Sequence, residues 1–106
     1  LFTTFAWSLD DIAPQVDGAC EGTWSADTMI EVGERIWNLE RQFNVDAGFT
    51  AADDTLPKRI LKDAAKSGPA KGAVSQLDKM LPEYYQLRGW TADGRPTNET
   101  LDRLAL

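Results

Sequence analysis

Two pairs of adjacent acids, Asp10-Asp11 and Asp53-Asp54, are the residues best suited by type to acid/base work or to oxygen ligation of a cation. Neighbouring acids on a helix diverge by about 100°, and neither pair sits in a spaced cation-binding loop. Helix-start charge and a solvated loop account for both, and no spacing selects two carboxylates for glycoside hydrolysis. The single thiol, Cys20, falls on the apolar side of a short helix and reads as a small buried hydrophobe with a structural role. One Cys forms no disulfide within the chain and cannot supply the four thiolates of an iron–sulfur cluster. The chain has no His, which removes Ser-His-Asp and Cys-His nucleophile systems and any zinc site built from Cys and His. No catalytic and no metal-ligating residue is therefore assigned.

Two further stretches invite a chemical reading. Gly68-Pro69-Ala70-Lys71-Gly72 lacks the four-residue gap, the Gly-Lys-Ser/Thr ending and the preceding strand of a phosphate-binding loop. Lys58, Arg59, Lys62, Lys66 and Lys71 face one acid, Asp63, over 58–71. That run is either a solvated helix face or a docking surface for an acidic partner.

The elements that must position these residues read as helices. Ser8 precedes Leu9-Asp10-Asp11-Ile12 as a helix start, with Pro14 near it, Leu9, Ile12, Val16 and Cys20 on one face, and Gly22 as the stop. The clearest helix runs from about Ala26 to Asn44 behind Ser25. Met29, Val32, Ile36, Leu39 and Phe43 step three, four, three and four residues along one face, widened by Ile30 and Trp37, which predicts a largely buried helix. Glu31 and Arg35 are placed for an ion pair. Gly33 fits either close approach of another backbone or plain tolerance. Residues 45–56 read as loop, and Pro57 opens a short helix from Lys58 to about Ala65. Ser75 with Asp78 resembles a capping box for a helix carrying Leu77, Met80, Leu81, Tyr84, Tyr85 and Leu87 to Gly89, with Pro82 expected to kink or split it. Thr97 caps a last helix with Leu101 and Leu104 inward. No segment alternates with period two, so the expected fold is all-α, four to five helices with long loops.

Length and composition bound the rest. The 106 residues make one domain, 1–106, of ordinary soluble balance, 42% hydrophobic and 26% charged. No apolar run reaches the roughly 18 residues of a membrane span. Net charge is −6, and the first 34 residues hold seven acids and no base, a distribution that disfavours nucleic acid. An unpaired Cys suits a reducing cytoplasm better than secretion. Leu1-Phe2-Thr3-Thr4-Phe5-Ala6-Trp7 has no signal-peptide pattern and reads like a cut end whose aromatics pack against something else.

Read as a set, Gly33-Glu34-Arg35-Ile36-Trp37-Asn38-Leu39-Glu40-Arg41-Gln42-Phe43-Asn44-Val45, Gly48-Phe49-Thr50 and Asp53-Asp54-Thr55-Leu56-Pro57 are distinctive. They are followed in order by Gly68-Pro69-Ala70-Lys71-Gly72, Leu77-Asp78, Tyr84-Tyr85-Gln86-Leu87-Arg88-Gly89-Trp90 and Asp93-Gly94-Arg95-Pro96-Thr97. These blocks resemble the C-terminal region of aldehyde:ferredoxin oxidoreductases. The resemblance implies a longer parent enzyme that oxidises aldehydes to carboxylic acids, with ferredoxin as electron acceptor. It also implies a tungsten–bispterin cofactor beside a four-iron cluster, and a homodimer of the full-length enzyme. Leu1-Phe2 resembles the pair just after the family's last cluster Cys, which would put Leu1 against a pterin. On this reading the chain carries no cofactor ligand or catalytic acid of its own and is inactive alone, and Cys20 does not inherit the cluster role. The basic run over 58–71 would then face ferredoxin. The alternative is a stand-alone helical interaction module using Phe2, Phe5 and Trp7.

Overall fold

A computed structural model describes residues 6–106, so the expectations for Leu1, Phe2 and Phe5 lie outside the described residues. Five α-helices and one 3-10 turn follow in order: α1 (Leu9–Ala19), α2 (Ala26–Asp46), the turn Ala51–Asp53, α3 (Lys58–Lys62), α4 (Leu77–Leu87) and α5 (Asn98–Leu104). Among the described residues there is no strand, only an isolated bridge between Trp90 and Pro96. The all-α expectation holds.

Local chemistry sets the helix starts. Ser8 and Asp11 cap α1 reciprocally: the Asp11 carboxylate accepts the Ser8 amide at 2.8 Å, and the Ser8 hydroxyl oxygen accepts the Asp11 amide at 3.3 Å. Ser25 and Thr28 do the same for α2, with the Ser25 amide on Thr28 Oγ1 at 2.7 Å. Thr97 accepts the Thr100 amide at 3.2 Å and starts α5. The Ser75–Asp78 box does not form. The Ser75 amide donates instead to the Ile60 carbonyl at 3.0 Å, and α4 begins one residue later behind Gln76, which makes no side-chain cap. Pro14 lies in the second turn of α1, farther in than expected, and α4 runs unbroken through Pro82 rather than splitting. Both prolines are exposed, so the carbonyls they leave unpaired can meet water. α3 stops at Lys62, short of Ala65, because residues 63–75 fold back on themselves. Ala65 and Ala73 pair through the backbone at 3.0 Å.

The core is small and its polar members are central. Ala13, Val45, Tyr85, Trp90 and Leu104 are buried, together with Asn38, Arg41 and Thr100. α2 packs with α1 and with α5, and the Arg35 side chain ties α2 to the end of α5 through the Leu104 carbonyl at 2.8 Å. α4 joins α5 at Gly89, whose φ of 67° only glycine adopts easily and whose carbonyl accepts Thr100 Oγ1 at 2.9 Å. A Cβ there would strike that hydroxyl.

The expected burial of α2 is only half right. The face turned to the core carries Asn38, Arg41 and Val45, whereas Ile30, Ile36, Trp37, Leu39 and Phe43 are all exposed. From Ile36 onward the helix buries its polar side and leaves its apolar stripe outside, whereas Met29 and Val32, nearer its start, are half-buried. Cys20 departs from expectation in the same way: it ends α1 at an exposed position instead of joining the core. The radius of gyration is 17.9 Å, with extents of 49 × 36 × 21 Å. A compact domain of this length has about 13 Å, so the chain forms a slab.

Candidate functional site

A cleft of about 410 Å³ opens between α2, the 51–57 segment and α4. Its floor is built from one side chain of each. Arg41, on the inner face of α2, donates to both oxygens of Asp54, with Nη1 at 2.8 Å from Oδ1, and its Nε donates to the Gly94 carbonyl at 2.7 Å. The Tyr85 hydroxyl, from α4, donates to the same Asp54 Oδ2. The Arg41 guanidinium also lies 4.8 Å from the centre of the Trp90 ring, whose Nε1 donates to Asn38 Oδ1 at 2.8 Å. Gly94 has φ 72°, and a Cβ there would collide with Arg41 and Tyr85, so the clamp closes only over glycine.

The electrostatics follow from that geometry. The Arg41 hydrogen bond, reinforced by that of Tyr85, holds the Asp54 carboxyl below its ordinary value. Arg41 is raised mainly by its bond to Asp54. Burial, then the Asp54 contact, pushes Tyr85 up to about 12. Asp54 is thus a fixed anion with both oxygens engaged, and Tyr85 is a fixed donor. Among the described residues no buried side-chain polar atom lacks a partner. The cluster holds three segments in register and has no free base or acid to give a substrate.

Trp37 and Tyr84 form the rim. Trp37 Nε1 donates to the Tyr84 hydroxyl at 2.8 Å, and Arg88 lies 5.3 Å from the centre of each ring. Trp37 is 45% exposed, so it lines the cleft instead of filling the core.

The two acidic pairs come apart. Asp11 caps α1, and Asp53 accepts the Thr50 amide at 2.8 Å, as helix-start and loop acids do. Asp54 is not the solvated loop acid expected; it anchors the cleft floor. The Gly68–Gly72 segment is a tight exposed turn, with the Lys71 amide on the Gly68 carbonyl at 3.1 Å. All five bases over 58–71 are exposed. Arg41 and Asn38 were missed as site residues, although Glu34, Asn38, Arg41 and Val45 step four, three and four residues like the apolar stripe on the other side.

A family model described as "aldehyde ferredoxin oxidoreductase, domains 2 & 3" matches residues 1–106. The chain belongs to the aldehyde ferredoxin oxidoreductase family. It is 48% identical over 107 residues to the tungsten-containing aldehyde ferredoxin oxidoreductases of Pyrococcus horikoshii and Pyrococcus abyssi, and 47% identical to that of Thermococcus kodakarensis. Each match covers 100% of this chain, and the chain spans about 18% of the length of these relatives. A solved structure titled as the active site complex BamBC of benzoyl coenzyme A reductase with 1,5-dienoyl-CoA shares the fold at a TM-score of 0.76. The identity is 26%, over 94% of this chain and 14% of that one. Against the tungsten in the relatives' names, the described residues contain no group of three His, Cys, Asp or Glu placed to hold a metal ion. The exposed Cys20 is far short of a four-thiolate set. These residues do not fit as ligands of a tungsten or iron–sulfur centre, and no chemical step is derived through either.

Proposed function

We propose that this chain is the C-terminal helical region of an aldehyde:ferredoxin oxidoreductase. Such an enzyme converts an aldehyde and water to a carboxylic acid, releasing two electrons and two protons, with ferredoxin taking the electrons. The observation that carries the reading is the 48% identity across the whole chain to the Pyrococcus horikoshii enzyme. In this reading the remainder of the polypeptide supplies the tungsten–bispterin and iron–sulfur region, with Leu1 beside a pterin, and the enzyme works in the cytoplasm as a homodimer.

The part played by this chain's residues is positioning. The Arg41–Asp54–Tyr85 clamp fixes α2, α4 and the 51–57 segment as one rigid unit, the kind of support that orientation of a reacting centre requires. The exposed bases Lys58, Arg59, Lys62, Lys66 and Lys71 offer an acidic ferredoxin a docking surface. The test is to purify the full-length product of the gene, loaded with tungsten and iron, and follow aldehyde-dependent ferredoxin reduction. Reduction is expected; a metal-loaded enzyme that oxidises no aldehyde overturns the reading. A gene whose reading frame opens at Leu1 would favour the stand-alone module instead.

A further inference from the structure

Resting on that reading, we infer that the outer face of α2, formed by Ile36, Leu39 and Phe43, is the seam along which this chain packs permanently against the rest of its own polypeptide. Two observations carry this. Phe43 is 72% exposed, Leu39 56% and Ile36 53%, although they fall at helical spacing on one side of the longest helix. The opposite side of the same helix is already committed to the chain's own core through Asn38, Arg41 and Val45. α2 is therefore a wall with two faces, one polar and packed within the chain, the other apolar and exposed.

The chemistry of the stripe selects the neighbour. Its three side chains are aliphatic or aromatic, and none is charged. A contact that forms and separates at every turnover, as with an electron carrier, is usually more polar than these three side chains. A permanent partner suits it. The relatives supply one: this chain spans only 18% of their length, so most of each polypeptide lies outside the region described. The stripe also continues into the cleft, because Glu40 and Asn44 border both. A segment laid along Leu39 and Phe43 would reach the cleft mouth, and the seam and the cleft would close together.

Hydroxyl-radical footprinting of the unmodified full-length protein tests this without a substitution that could unfold it. Phe43 and Leu39 should be oxidised roughly tenfold or more slowly in the native protein than in urea, the protection of a core residue. Native and unfolded rates within about twofold of each other, the behaviour of surface residues, overturn the seam. Protection that vanishes on dilution to the monomer assigns the face to a second copy and also overturns it. Aldehyde oxidation and chain length are read on the same preparation. An active enzyme with reactive Phe43 defeats the seam alone, and an inactive long chain with protected Phe43 defeats the functional reading alone.

Discussion

Arg41 is held at once by Asp54, the Gly94 carbonyl and the Trp90 ring, and these surroundings make the residue-scale outcomes specific. Removing the anion strands a buried guanidinium, so Asp54→Ala should cost about 3 kcal/mol, the lower end for breaking a buried pair because Asp54 is only half-buried. Tyr85→Phe keeps the ring and the ion pair and loses one hydrogen bond, for about 1 kcal/mol. Denaturant unfolding of both variants checks the order. The pH dependence has two limbs. Asp54 is depressed below its unfolded value of 3.8, so the unfolded state binds the extra proton and stability falls as pH drops through the folded value. Tyr85 is raised from 10.0 to about 12, so the folded state holds the proton longer and stability declines as pH rises between those values. Tyr85→Phe should remove the alkaline decline, as read by unfolding midpoints at successive pH. Retention of that decline in the variant would place its origin elsewhere.

At the scale of elements, the helices were legible in the sequence because their signals are local. Ser8, Ser25 and Thr97 act within three residues, and each starts a helix where expected. Ser75 failed for a non-local reason, since its amide is taken by Ile60 fifteen residues back. The facing of α2 was illegible for a similar reason. Both its sides carry helical periodicity, and only the positions of Asp54, Tyr85 and Trp90 decide which turns inward. Asp54 itself looked like any loop acid, because its partners lie 13 and 31 residues away. Two glycines give the element-scale prediction. Gly89→Ala forces a Cβ onto Thr100 at positive φ and should destabilise the α4–α5 junction by about 1–3 kcal/mol. Gly33, with nothing within 4 Å of a Cβ in this chain, should gain roughly 0.5–1 kcal/mol on replacement by Ala in the 106-residue chain. Thermal unfolding of the two variants should shift in opposite directions. A loss from Gly33→Ala in the full-length protein alone would show a neighbouring backbone at that turn, the first of the two explanations that the sequence left open.

At the scale of the whole molecule, charge is divided by region. The first 34 residues are purely acidic in their ionised side chains, whereas 58–71 carries five bases, all of them exposed. If ferredoxin meets the basic region, Lys58→Glu, Lys62→Glu and Lys66→Glu together should raise the KM for ferredoxin by roughly tenfold at low salt, an effect that salt screens. The rate with a small neutral acceptor should stay unchanged. Equal loss with both acceptors would point to damage to the enzyme and not to docking. The slab shape was outside the reach of sequence reading, since composition alone describes an ordinary globule. The apolar residues are present in the usual number, but a large share of them face outward along α2.

The clustering of Tyr84, Tyr85 and Trp90, with ring centres 5.7 to 6.3 Å apart, has an optical consequence. At such separations light absorbed by either phenol passes to the indole before it is emitted, so the intact junction of α4 with the turn that follows it glows as tryptophan alone. The return of phenol emission would time the moment at which that junction opens, and no dye need be attached to see it.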